Sequence, residues 1–236
     1  MGGKDKPVQK TDPAKDVEAF LGEVARTPVA KTPGRRGRLM FGMDATASRQ
    51  PTWERAARPQ GEMFAVTAAL GGLDVQLAFF RGFGEFKVSK WTANADELTP
   101  LMTSVYCLAG ETQIGKVLKH AVNETKRKKV NALVYVGDCC EEDVDALGKS
   151  AGELGILGVP AFMFHEGGDP VAAYAFQQIA HLSGGAYFAF DAASADTLRD
   201  LLSAVAVYAA GGRPALEDHA NNRGGAVLQI ARQVKG

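Results

Sequence analysis

Residues 39–48 read LMFGMDATAS, a short apolar run that passes directly into one acid and two hydroxyl side chains. The apolar part, residues 39–43, has the length and character of a buried strand. Asp44, Thr46 and Ser48 then occupy alternate positions beyond its carboxyl end, where ligands bind in open α/β sheets. Oxygen-bearing side chains in such a turn suit a hard cation. The same residue types also form turns and helix caps, so this pattern alone favours a simple turn.

The rest of the chain alternates between short apolar runs and helical segments. Five further strands are predicted, at residues 73–80, 86–91, 132–137, 159–164 and 186–190. Helices are predicted at residues 62–70, 114–123, 143–154 and 172–182, and a last helix is capped by Ser194 and ends at Gly211-Gly212, before a polar loop at 213–225. This alternation predicts an α/β fold with a mainly parallel sheet. Because only residues 81–85 separate the second and third strands, these two should form a hairpin with an antiparallel edge strand.

Two further positions extend the first motif. The apolar run at residues 132–137 is followed directly by Asp138, and in a parallel sheet this places Asp138 at the same edge as Asp44. Between them in the chain, Gly110-Glu111-Thr112-Gln113-Ile114-Gly115 opens a predicted helix and presents the hydroxyl of Thr112. One edge of the sheet is therefore predicted to carry two carboxylates and three hydroxyls.

In order and spacing, these residues resemble the metal-ion-dependent adhesion site (MIDAS) of the von Willebrand factor A (vWA) family. That site has D-x-S-x-S, then a Thr before a helix, then an Asp after a central strand. The resemblance covers about residues 38–211, and it implies a three-layer, doubly wound Rossmann-like sheet with helices on both faces. It also implies a set of ligands for Mg2+, or alternatively Mn2+ or Ca2+. These ligands are Asp44, Thr46, Ser48, Thr112 and Asp138.

The resemblance further implies how such a site works. Thr46 and Ser48 would contact the ion directly, and Thr112 directly or through water. Asp44 and Asp138 would act largely through water. Mostly uncharged ligands leave the ion electrophilic, so an acidic side chain of a partner protein completes its coordination. Intracellular members of the family often act with AAA+ ATPases or in larger assemblies, which makes such assemblies candidate partners.

Several positions depart from the family pattern. Thr46 replaces the first Ser of the family pattern, and Ala47 replaces its usual small Gly. Arg49-Gln50 follow the last hydroxyl residue. Glu111 replaces a Gly in the Thr loop. We expect Arg49 to lower the affinity for a cation and Glu111 to raise it, and this pair of opposite charges to influence partner choice.

Composition narrows the function classes. Across 236 residues, 27 basic side chains balance 27 acidic ones, so no global field favours nucleic acid or an anionic membrane. No apolar run reaches the roughly 18–20 residues of a membrane span, and no secretory signal is evident, which predicts a cytoplasmic protein. Residues 1–37 are predicted to be a flexible extension with a possible short amphipathic helix, residues 38–211 the domain, and residues 212–236 a second extension.

Other functional hypotheses have weaker support. Gly110 to Lys116 fits a phosphate-binding loop until Val117, where a Ser or Thr is required. A Mg2+-dependent phosphoester hydrolase remains an alternative because Asp44 and Asp138 share an edge, although no second acid stands two residues after Asp44. A structural domain with a degenerate metal site is another. Cys139 and Cys140 are interpreted as small packing residues, since no His or Cys stands at metal-ligand spacing from them.

Overall fold

The computed structural model of the chain describes residues 36–49, 72–190 and 195–223. Within these ranges the strands are β1 (Gly37–Asp44), β2 (Leu73–Arg81), β3 (Glu85–Val88), β4 (Ala132–Gly137), β5 (Ala161–Glu166) and β6 (Ala186–Phe190). The helices are α1 (Ala95–Thr103), α2 (Ile114–Arg127), α3 (Val144–Ile156), α4 (Pro170–Ser183) and α5 (Ala195–Arg223), with a short 3-10 turn at Ala47–Arg49. The predicted helix at residues 62–70, the N-terminal amphipathic helix, the cap at Ser194, and Gln50 with the side chain of Arg49 lie outside the described residues.

The six described strands form one sheet in the order β3-β2-β1-β4-β5-β6. Every neighbouring pair is parallel except β2 and β3, which are antiparallel and joined by a tight hairpin. Gly82 and Gly84 both have positive φ in that hairpin, a conformation that glycine adopts without a steric penalty. The predicted α/β fold with an antiparallel edge strand is therefore confirmed. The strand order also places β1 directly beside β4 at the centre of the sheet.

Side chains of the central strands alternate between two apolar layers. Leu39 and Phe41 of β1 point to the face covered by α1 and α5, where Phe162 packs edge to face against Tyr208 at 5.7 Å. Met40 points to the opposite face, which α2, α3 and α4 cover. Each fully buried large side chain contributes about 1.5–3 kcal/mol. Helices thus cover both faces of the sheet, as the three-layer prediction requires.

Local sequence signals account for the helix ends. The Asp143 carboxylate accepts hydrogen bonds from the first backbone N–H groups of α3, and Asp169 does the same for α4. Pro170 follows at the first position of α4, where no N–H is needed, and Gly184 ends that helix in the left-handed conformation with φ 72°. Within the described ranges, no helix combines the length and apolar character needed to cross a membrane.

The end of α5 corrects one prediction. Gly212 leaves helical geometry (φ 73°, ψ −169°), but helical structure resumes beyond it and continues to Arg223. The loop predicted from residue 213 is therefore wrong as far as residue 223. The physical reason is that Pro214 stands in the first turn of the second segment, where a missing N–H costs nothing. The first helical segment of α5 therefore ends at the glycine pair, as predicted, and a second helical segment follows where a loop was predicted.

Two strand boundaries also differ from the sequence prediction. β3 ends at Val88, so Trp91 lies beyond the strand that was predicted to include it. β5 begins at Ala161 and continues to Glu166, two residues further than predicted. This extension places His165 inside the sheet, where it pairs in register with Gly137 of β4.

Candidate metal centre

The carboxyl end of β1 forms the first part of the site. Asp44 is the last residue of the strand and is fully buried. Its Oδ1 accepts the backbone N–H of Thr46 at 2.7 Å, which turns the chain back on itself. The turn brings the hydroxyl oxygens of Thr46 and Ser48 to 3.2 Å from each other. The turn after Asp44 therefore brings these two hydroxyls together, with Thr46 buried and Ser48 exposed.

Asp138 joins this turn from the neighbouring strand. Met43 pairs in register with Val136, so the ends of β1 and β4 lie side by side. One carboxylate oxygen each from Asp44 and Asp138, together with the sulfur of Cys139, lie within 4.8 Å of one another. Asp138 Oδ1 is buried and has no hydrogen-bond partner among the described residues. A buried carboxylate oxygen without a hydrogen-bond donor costs free energy, and a bound cation compensates that cost. These ligand atoms therefore fit a divalent ion.

Thr112 is held against the same loop. Its side chain is buried, its backbone N–H donates to Glu141 Oε2 at 2.9 Å, and its hydroxyl oxygen accepts the N–H of Glu141 at 3.0 Å. A hydroxyl oxygen has two lone pairs, so one accepted hydrogen bond leaves a position for a ligand. Thr112 is thereby attached to the loop that begins with Asp138.

The segment before Thr112 is anchored to the turn after β1. The N–H of Leu108 donates to the carbonyl of Ala45 at 3.0 Å, and Thr46 forms a parallel bridge with Leu108. Further along, a Cβ on Gly110 would lie 2.1 Å from the carbonyl oxygen of Gly82. No other residue fits at position 110 without moving the backbone. This close approach fixes the path of the Thr112 loop across the end of β2.

Glu142 fills the amino terminus of α2. Its carboxylate accepts the backbone N–H groups of Ile114 and Gly115, the latter at 2.9 Å. These are donors that a helix leaves unpaired in its first turn. Burial raises the pKa of Glu142, while the hydrogen bonds from Gly115, Ile114 and Thr112 oppose that change. The N–H groups that a phosphate-binding loop would offer to its ligand are thus already occupied by a carboxylate.

Sequence reasoning missed both Glu141 and Glu142. The available signal was their position, because they follow Asp138 in the run Asp138-Cys139-Cys140-Glu141-Glu142. Glutamates in a connection are usually solvated surface residues, so the run alone does not predict that one binds Thr112 and the other a helix terminus. Glu111, which we expected beside the ion, is exposed.

The acids create a negative field at this edge. Burial is the main reason that the pKa of Cys139 is raised to about 12, and the carboxylates of Asp138, Asp44, Glu141 and Asp169 add to the effect because they disfavour a thiolate. The same field that disfavours a second anion attracts a cation.

His165 lies next to the acids but is held as a structural residue. It is 1% exposed, its Nδ1 lies 2.9 Å from the Tyr187 hydroxyl, and its ring packs edge to face on Phe176. Burial lowers the pKa of His165, although the Asp138 carbonyl and the Asp169 and Asp138 carboxylates oppose this. A neutral imidazole in the sheet is the consequence.

Comparison with known proteins identifies the fold. No protein-family model and no curated protein sequence matches this chain. The VWA domain of SpRpn10 superposes with a TM-score of 0.57 at 14% identity, over 71% of this chain and 94% of that one. Proximal thread matrix protein 1 of the mussel byssus, with zinc in its MIDAS motif, gives 0.58 and 12%, over 75% and 47%. The pilus adhesin SpaC of Lactobacillus rhamnosus GG gives 0.58 and 12%, over 81% and 31%.

The coverage differs among these structures. This chain spans nearly all of the SpRpn10 domain but less than half of the other two chains. At these identities the similarity concerns the arrangement of the backbone. The vWA fold expected from the sequence is therefore confirmed.

Proposed function

We propose that this chain, which has the vWA fold, is a protein-binding module that holds a divalent cation at Asp44, Thr46, Ser48, Thr112 and Asp138. The observation that carries the proposal is the buried Oδ1 of Asp138, which has no hydrogen-bond partner among the described residues and lies at the end of β4 beside Asp44. A protein seldom retains such an atom without a ligand for it.

Each residue has a distinct task in this proposal. Thr46 and Ser48 present adjacent hydroxyl oxygens, which bind without adding charge. Thr112 offers a third hydroxyl, positioned by Glu141, and the two aspartates supply the negative charge. A bound cation with an open position then supplies an electrophile for a carboxylate of the partner. Zinc in the MIDAS motif of the mussel protein supports an ion at this place in the fold.

The hydrolase alternative receives no support from the described residues. An aspartate nucleophile of that class needs a second acid two residues on, and Thr46 stands there. The N–H groups at the start of α2 are bonded to Glu142 and do not offer a phosphate site. We therefore propose a binding module and not an enzyme.

Calorimetric titration tests the cation. Wild-type protein should bind Mg2+, Mn2+ or Ca2+, and Asp44→Ala should bind none of them, with circular dichroism used to verify that the variant folds. Asp74→Ala is a matched control, because Asp74 lies at the amino end of β2 and pairs with exposed Arg36. Failure of these three ions and of Zn2+ to bind wild type would leave a structural domain with a degenerate site.

Capture of partners tests the binding role. Proteins retained by wild type in Mg2+ should be lost with Asp44→Ala and in chelator, and their identity should reveal whether an AAA+ ATPase or another assembly is involved. We propose that the contact residue on the partner is Asp or Glu. Retention of the same proteins by Asp44→Ala in chelator would contradict metal-dependent binding.

A further inference from the structure

A sulfur atom lies at the proposed ion site beside the proposed oxygen ligands. The sulfur of Cys139 lies within 4.8 Å of carboxylate oxygens of both Asp44 and Asp138. We propose that Cys139 is a ligand at this site and gives it a preference for a thiophilic divalent ion such as Zn2+ over Mg2+. This inference rests on the proposed function, since it concerns the same site.

The geometry suits one shared ion. Zinc binds sulfur at about 2.3 Å and carboxylate oxygen at about 2.0–2.2 Å, so two of its tetrahedral ligand atoms lie roughly 3.3–3.8 Å apart. The ligand atoms of Asp44, Asp138 and Cys139 are separated by at most 4.8 Å. This upper limit exceeds the spacing in a zinc site by about 1.0–1.5 Å. A second observation supports a ligand here, since the buried Oδ1 of Asp138 has no hydrogen-bond partner among the described residues.

The other two cysteines show what a packing cysteine looks like in this protein. Cys140 is buried in the apolar layer under α2, α3 and α4, with its sulfur 3.8 Å from the carbonyl oxygen of Glu142. Cys107 packs against the opposite apolar layer. Cys139 belongs to neither layer, is only partly buried, and its sulfur lies beside the two aspartates. Both adjacent cysteines were interpreted as packing residues. That interpretation fits Cys140, and we propose a different role for Cys139.

The chemistry follows from ligand softness. Mg2+ and Ca2+ prefer oxygen and gain little from a thiol, whereas Zn2+ and Cd2+ bind thiolate strongly. When Cys139 binds such an ion, a metal–sulfur bond forms, the S–H bond breaks, and its proton passes to solvent. The hydroxyls of Thr46 and Ser48 remain available as further ligands.

Cadmium is a suitable probe, because a cadmium–thiolate bond produces an ultraviolet charge-transfer band. We expect wild type and Cys140→Ser to show this band, and Cys139→Ser to lack it. Calorimetry should show that Cys139→Ser lowers the affinity for Zn2+ by about tenfold or more, while the affinity for Mg2+ is unchanged. Cys140→Ser is the matched control, since the adjacent thiol belongs to the core.

A cadmium band or Zn2+ affinity that survives Cys139→Ser overturns the inference. If Mg2+ still binds in an Asp44-dependent way, the proposed function stands without it, whereas absence of binding by every ion overturns both. Should Cys139→Ser fail to fold, alkylation of wild type decides. Cd2+ should slow the alkylation of Cys139 by iodoacetamide, and Asp44→Asn should remove this protection. The same rate of alkylation with and without Cd2+ would overturn the inference.

Discussion

The two ends of the sheet differ in how their charged side chains are paired. At the amino end, Arg38 is surrounded by partners, whereas at the carboxyl end carboxylate oxygens of Asp44 and Asp138 lie within 4.8 Å of each other. Both ends are built from residues next to the same two strands, β1 and β4. The contrast separates a part of the molecule that contributes stability from a part that we propose binds an ion.

The amino end has a complete set of interactions. The guanidinium of Arg38 lies 3.7 Å from the centre of the Trp91 ring, pairs with Glu124 at 3.3 Å and donates to the backbone carbonyl of Lys128. Trp91 Nε1 donates to the same Glu124 carboxylate at 2.8 Å. Burial lowers the pKa of Arg38, while Glu124 opposes that change. Each buried charge here is compensated by its neighbours.

At the carboxyl end, several acids surround one thiol. Asp44, Asp138, Glu141 and Asp169 all act on Cys139 with the same sign. A cation bound between the carboxylates of Asp44 and Asp138 would offset their mutual repulsion. The apolar layers and the amino end contribute stability, whereas the acids at the carboxyl end surround the proposed ion site.

The largest effect should come from the amino end. Replacement of Arg38 by Met removes the cation that is buried beside Glu124, which then keeps only its pair with the exposed Arg127. The side chains of Arg38 and Glu124 are only 6% and 12% exposed. We expect the free energy of unfolding to fall by about 3 kcal/mol, as measured by urea denaturation. Arg36→Met is the control, because that side chain is 47% exposed in its pair with Asp74 and should cost less than about 1 kcal/mol. Equal losses would remove the contrast between the ends.

The next effect concerns Asp138. At a free-ion concentration of 100 times Kd, wild type should gain about 2.7 kcal/mol of stability. Asp138→Asn should lose that gain, yet in chelator it should be at least as stable as wild type because one of the repelling charges is gone. Thermal melting with and without ion measures both. Asp96→Asn, at an exposed position of α1, should respond to ions like wild type.

A smaller effect is expected for the hydroxyl of Thr112. Thr112→Val keeps the shape but leaves the N–H of Glu141 without its acceptor, so stability should fall by about 1–2 kcal/mol. Thr112→Ser should restore most of this loss. Denaturant melts of the two variants make the comparison. A valine variant as stable as wild type would show that the Thr112–Glu141 pair does not hold the loop.

The smallest effect concerns Glu85, a compensated acid near the carboxyl end. Hydrogen bonds from Arg81 and then Lys87 lower its pKa from 4.5 to about 2. Because the folded pKa is lowered, the stabilisation is present above about pH 4.5 and is lost as the pH falls towards 2. Glu85→Gln should therefore destabilise slightly at neutral pH and hardly at all at pH 2. NMR titration of the Glu85 carboxyl checks the direction, and an unshifted midpoint would contradict it.

Part of this structure was accessible from patterns in the chain. Apolar runs with the length of strands, separated by helical periodicity, predict the sheet because burial of those runs dominates the folding free energy. The end of α5 was not accessible in the same way. A Gly-Gly pair followed by Pro214 is compatible with either a loop or a second helical segment after the stop, and the structure has a second helical segment.

The candidate site also has features that the sequence determines and features that it does not. From the sequence alone, Asp44 and Asp138 belong at one edge of a parallel sheet, because strand direction follows from the alternation of strands and helices. Their adjacency, the attachment of Thr112 to Glu141 and the position of the Cys139 sulfur were decided only by the tertiary structure. The physical reason is that distances between side chains of different loops depend on strand order and on the path of each loop. Those are set by packing across the whole domain, and no local pattern of residues encodes them.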